Sequence, residues 1–187
     1  AIALTDNNNM FGILDFSIEC AENNIQPIIG TSINYLDIQT KEYPSQLSFL
    51  VMNEEGYINL LYLSSISHTS GNHPIGIYDK DLKQHTNGLI CYIGGEYNPL
   101  LILKHQNKIE EISVFIKNFQ KIFEQDFLFE IQRIQDQKID EFEKEFLEYS
   151  QNFKIPIIGS NNVKYENAND YNAHDALLCI AQKMTIN

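Results

Sequence analysis

The chain has 187 residues, of which 43% are hydrophobic and 11% aromatic, and 25 acidic against 13 basic side chains give a formal net charge of −12. That length fits one domain, or one plus part of another, and it needs neither disulfides nor a structural metal to enclose a core. The composition excludes a disordered chain, and the acidic excess excludes a groove that tracks phosphates, which requires clustered lysine and arginine.

Residues 1–5 (AIALT) are a short apolar run that reads as the end of a strand already under way. With Ala rather than Met at position 1, the sequence reads as a piece of a longer chain. After TDNNN, Met10, Leu14, Ile18, Ala21 and Ile25 recur at spacings of three or four and share one face of a helix. Asn23-Asn24 is its stop, since Asn tolerates the left-handed conformation that a helix end often takes. Residues 26–38 (QPIIGTSINYLDI) and 47–52 (LSFLVM) read as strands. Asn53 then caps a helix running to about His68, with Glu54 and Glu55 placed to complement its dipole.

TSGNHPIG (69–76) is a loop, and GLICYI (88–93) is a buried strand ending at Gly94-Gly95. Ile109, Ile112, Ile116, Phe119 and Phe123 form a helical stripe, FLFEI (127–131) a strand, and Ile139, Phe142, Phe146, Tyr149 and Phe153 a second stripe. IPIIGSNNV (155–163) is the last strand, and a final helix begins near Asn167. Apolar strands alternating with amphipathic helices predict a parallel α/β domain, as an open sheet or a barrel. In a barrel the loops TDNNN, GTSIN, GG and GSNNVKY gather at the C-terminal rim, where active sites are built.

The rim supplies little chemistry. A hydrolytic metal centre needs several His, Asp, Glu or Cys side chains on one point. These loops offer Asp6, with Asn7, Asn8, Asn9, Ser32, Gly94, Gly95, Asn162 and Lys164 around it. The histidines His68, His73, His85, His105 and His174 fall mostly in helices or loops away from the strand ends, and His68 and His73 read as solvated loop residues. Cys20, Cys91 and Cys179 are far apart, so they form no zinc knuckle or disulfide framework and fit a reducing cytosol. Cys91 and Cys179 lie in apolar runs as buried thiols, with no histidine in a recognisable signature. No glycine pattern makes a nucleotide cradle. The acidic run 136–148 (DQKIDEFEKEFLE) reads as the solvated face of its helix. No apolar run approaches the roughly 20 residues that span a bilayer, and no signal peptide precedes the first strand.

TDNNNMFG, QPIIGTSI, NEEGYINLLYLSS, NGLICYIGG, FLFEIQR, GSNNVKY and AHDALLCI, in this order, resemble the PHP (polymerase and histidinol phosphatase) domain at the N-terminus of the bacterial DNA polymerase III alpha subunit. The resemblance runs from residue 2 to about residue 186. It implies a distorted (β/α)7-type barrel, with residues 1–187 as a single PHP domain that lacks its first strand. Active members hold up to three metal ions at the strand ends and hydrolyse phosphoesters.

Of the family's T-D-H-G pattern Asp6 is in place, but Asn7 stands where the histidine would be. The glutamate after P-I-I-G-C falls on Ser32, the histidine opening the next strand on Gln46, and the cysteine or histidine after the S-G turn on Gly95. The closing N-D-V-H appears as Asn161-Asn162-Val163-Lys164, without its carboxylate and imidazole. The family's H-x-H motif would lie upstream of Ala1. Asp6 alone does not hold a metal cluster, so no catalytic, metal or cofactor-binding residue is expected, and the proximity of Lys164 to Asp6 predicts an ion pair in a metal's place.

The resemblance therefore implies a metal-free docking module of a cytoplasmic polymerase, contacting a proofreading exonuclease subunit and other replicase subunits. Nucleotide transfer, with its Mg²⁺ on palm carboxylates, and DNA binding would belong to the parent polymerase outside these residues. Self-association through the open barrel edge is expected. The alternative is a metal-dependent phosphoesterase or proofreading nuclease with a remodelled site.

Overall fold

The computed structural model describes residues 1–41, 43–133, 137–161 and 163–185, without the side chains of residues 137–140 and Gln182. Asp136 and Asn162, and the side chain of Ile139 in the second helical stripe, therefore lie outside the described residues. Six strands form one curled half-barrel sheet in the order β1 (Ile2–Leu4), β2 (Pro27–Gln39), β3 (Pro44–Val51), β4 (Leu89–Gly94), β5 (Phe127–Gln132) and β6 (Ile157–Ser160). Among the described residues seven helices accompany it: α1 (Ile13–Glu22), α2 (Glu54–Thr69), α3 (Asp79–Leu82), α4 (Pro99–His105), α5 (Ile109–Phe123), α6 (Gln137–Phe153) and α7 (Tyr171–Gln182).

The expected wholly parallel sheet is corrected at β3, which runs antiparallel to both β2 and β4. Residues 40–43 are too few for a crossover, which takes a dozen or more, so the chain folds straight back beside β2. The β1–β2, β4–β5 and β5–β6 pairs are parallel. A helix absent from the sequence reading, α4, grows from NPLLILKH, where the Asn98 side chain accepts the Leu100 N–H at 3.0 Å and Pro99 opens the first turn. The last strand is shorter than its apolar run, and the final helix follows a 3-10 turn at Ala168–Asp170. Two expected helix ends are present: Asn53 accepts the Gly56 N–H at 3.0 Å, and Asn24 takes a left-handed φ of 55°.

The core lies between the sheet and helices α2, α4, α5 and α6. Leu47, Phe49, Phe127 and Phe129 from the strands meet Leu60 and Leu63 of α2, Ile116 and Phe119 of α5, and Phe142 and Phe146 of α6. Phe129 stacks on Phe146 with ring centroids 4.3 Å apart. The stripes expected of α5 and α6 face this core where they are described, except Ile109, which is exposed at the start of α5.

Helix α1 behaves otherwise. Leu14, Ile18 and Ala21 do share a face of the helix, but they and Ile25 beyond its end are exposed, Met10 ahead of it packs against the core, and Ile13 and Cys20 are buried. A second stripe at Ile13, Phe16 and Cys20 has the same helical spacing, and the chain turns that one to the sheet. Among the described residues no helix is long and apolar enough to cross a membrane.

Candidate functional site

The chain leaving the C-terminal end of β1 meets the middle of β2 where Asn7 bridges to Ser32. The Asp6 carbonyl accepts the Ser32 N–H at 3.0 Å and the Thr31 hydroxyl at 2.7 Å, while the Asp6 side chain stays exposed. Asn8 is the knot of this corner, in a left-handed conformation with φ 55°. Its N–H donates to the Ser32 carbonyl at 2.7 Å, its side-chain oxygen accepts the Asn34 N–H at 2.8 Å, and its carbonyl accepts His68 Nε2 at 2.6 Å. His68, exposed in the last turn of α2 and not in a loop, thus reaches the rim, which corrects its placement away from the strand ends. Asn9 makes local loop bonds, accepting the Phe11 N–H at 3.1 Å and donating to the Asn7 carbonyl at 3.0 Å.

The next strands carry the network on. Ser32 and Ser48 share a hydroxyl hydrogen bond of 2.7 Å, and Gln46 donates its amide to the Asn34 side-chain oxygen at 3.2 Å. Tyr92, paired with Ser48 across β3 and β4, has its phenol pushed up from its ordinary value, chiefly by burial. The Glu130 carboxylate adds to that shift, and hydrogen bonds with Thr5 and Ser48 oppose it.

Glu130 was not singled out from the sequence. It is only 8% exposed, it bonds through one oxygen to the Ser160 hydroxyl, and its other oxygen accepts Gln132 Nε2 at 2.9 Å. Its signal was a charged residue inside the apolar run FLFEI, close to a strand's C-terminal end. Beyond it a cleft lies between β5, α4 and α6, walled by Leu101, Ile131, Phe142 and Phe146. Gly95 packs its left-handed turn against the Gln132 carboxamide.

The structure gathers Asp6, Asn7, Ser32 and Gln46 at one corner and sets Gly95 beside Glu130 and Gln132, but it does not join Lys164 to Asp6. The ion pairs among the described residues are Lys104–Glu145, Lys108–Glu111 and Arg133–Glu143, so the expected Asp6–Lys164 pair is corrected. The chain leaves β6 at Ser160, and Asn161, Val163 and Lys164 run on exposed. Cys20 and Cys91 are buried, and burial pushes the Cys91 thiol up, away from the reactive thiolate. Cys179 is half-buried, where the sequence reading had it buried. Among the described residues no three His, Cys, Asp or Glu side chains converge, and no buried side-chain nitrogen or oxygen lacks a partner. What these groups do together is bond one another and hold strand ends in register.

A family model for the PHP domain matches residues 1–134. The DNA polymerase III subunit alpha of Rickettsia bellii is 35% identical over 99% of the chain, and that of Borreliella burgdorferi is 38% identical over 96%. The corresponding subunit of Chlamydia pneumoniae is 32% identical over the whole chain. The chain spans only 16–17% of the length of these relatives.

Proposed function

The chain belongs to the PHP domain family, and from that premise we propose that it is the metal-free PHP module of a DNA polymerase III alpha subunit, serving as a structural and docking unit. One observation carries the reading: at the rim positions where the family's active members place ligands, the Ser32 hydroxyl is shared with Ser48 and the Gln46 amide is given to the Asn34 side chain. Asn7, Ser32, Gln46 and Gly95 stand at those positions, and Asp6 alone brings a carboxylate. Asp6 and the Glu130 carboxylate, already bonded to Ser160 and Gln132, are too few to fit a cluster of divalent ions, whose charge would go largely uncompensated.

On this reading the fold is a (β/α)7-type barrel. The parent is a cytoplasmic DNA-directed DNA polymerase, with Mg²⁺ held by palm carboxylates and DNA bound by its other domains. The module's own partners are a proofreading exonuclease subunit and other replicase subunits, and the open edge at β1 favours self-association.

The experiment has two arms. Hydrolysis of p-nitrophenyl phosphate and of single-stranded DNA is measured with added Mn²⁺ or Zn²⁺, and retention of the cognate exonuclease subunit is measured by size-exclusion chromatography. Background hydrolysis with retention of the exonuclease supports the module. Metal-stimulated hydrolysis abolished by Asp6→Ala overturns it in favour of a phosphoesterase with a remodelled site.

A further inference from the structure

The outward stripe of α1 has no cover in the structure, and its surroundings name the chemistry of what would cover it. Phe11, Leu14 and Ile18 are 88%, 69% and 48% exposed, and Ala21 and Ile25 extend the ridge. Burying such a ridge removes apolar surface from water, which is the main drive to association. One residue round the helix runs a second exposed stripe, Asp15, Glu19 and Glu22. These three acids enter no ion pair among the described residues. The first 40 residues contain no lysine, arginine or histidine at all, and the chain as a whole carries −12. An apolar ridge flanked on one side by uncompensated acid is the mirror of an amphipathic helix with lysine or arginine along one flank of its own ridge.

The other exposed surfaces are less informative. Helix α7 exposes Leu177 and Ile180, but no charge pattern beside them says what would lie there. Acids of α6 are already engaged, Glu145 by Lys104 and Glu143 by Arg133. A second copy of the chain would bring acid against acid at α1, and a nucleic acid would bring phosphate against it.

We propose that the outer face of α1, with Phe11 just before the helix and Ile25 just after it, docks a basic amphipathic helix of a partner protein. The inference rests on the docking reading above and names its surface. Apolar anchors at i, i+3 and i+7 of the partner pack against Leu14 and Ile18, and its lysine or arginine flank lies along Asp15, Glu19 and Glu22.

The test uses the whole 187-residue chain and two fluorescein-labelled 16-residue helical peptides. One has a leucine ridge with four lysines on one flank, and the other has glutamate in place of those lysines. Anisotropy titrations should show the lysine peptide binding at least tenfold tighter, with hydrogen-exchange protection at residues 11–25. Leu14→Ser/Ile18→Ser should weaken it at least tenfold, and Asp15→Lys/Glu19→Lys/Glu22→Lys should invert the preference. Circular dichroism melts check that these surface variants stay folded.

Equal binding of the two peptides overturns the proposal, as does binding that survives both variants. A dimer seen by light scattering and dissolved by Leu14→Ser/Ile18→Ser also overturns it, giving the face to a second copy. Retention of the exonuclease alongside failure of the lysine peptide removes this surface and leaves the docking reading standing. Loss of the exonuclease with the peptide results intact does the reverse.

Discussion

Replacing Asn8 by alanine cuts the knot at the rim in two ways that can be measured apart. The side-chain oxygen that accepts the Asn34 N–H at 2.8 Å is lost, and Asn34 is buried, so that donor goes unpaired. An unpaired buried N–H costs about 1–3 kcal/mol. Asn8 also sits at φ 55°, where alanine pays roughly a further 1 kcal/mol that asparagine partly escapes. The sum is about 2–4 kcal/mol, a fall in midpoint temperature of roughly 4–16 °C for a chain of this size. Asn8→Asp keeps an acceptor and tolerates the left-handed backbone, so it should stay within about 0.5 kcal/mol of the parent. Asn8→Gly relieves the backbone but not the lost acceptor, and should fall between the two. Urea unfolding followed by far-UV circular dichroism reads all three. A parent-like Asn8→Ala, or an Asn8→Asp as damaging as Asn8→Ala, would refute the account of this corner.

Two further outcomes follow from the packing and the buried phenols. Gly56→Ala places a Cβ 2.5 Å from the Gly88 carbonyl carbon, and that carbonyl already accepts the Met52 N–H at 2.9 Å. Neither backbone yields cheaply, so despite alanine's better helix propensity the variant should lose about 2 kcal/mol or more, or fail to accumulate as folded protein; a thermal melt checks this. Burial raises the pKa values of Tyr35 and Tyr92 from 10.0 in the folded chain. Their protons are held more tightly in the folded state, so this stability is complete below pH 10 and is lost as pH rises through the folded values. Urea midpoints should decline above pH 10, less steeply in Tyr92→Phe, with phenolate absorbance at 295 nm appearing late.

The parts that were legible in the sequence are those whose signal is local. The stripes of α5 and α6 and the strand FLFEI declare themselves because burial repeats with the period of the element. The direction of β3 does not, because it depends on how far residues 40–43 can carry the chain. Helix α1 has two apolar stripes of the same spacing, and periodicity says that a face exists without saying which one meets the sheet. At the rim, Asp6, Asn7, Ser32 and Gly95 are legible in the strand-end loops, and Gln46 only through the family resemblance. Asn8 is visible there as a loop residue, but its role and that of His68 rest on backbone carbonyls and amides, which residue types do not reveal. Glu130 was visible as a charge in an apolar strand, but its partners Ser160 and Gln132 come together only in the folded sheet.

The claim that the rim carries no metal chemistry is tested most directly by inductively coupled plasma mass spectrometry of the chain, purified without chelator and then dialysed against zinc and manganese. The account predicts far less than one ion per chain for either metal, unchanged by Asp6→Ala. One or more equivalents of zinc or manganese, lost on Asp6→Ala, would contradict it.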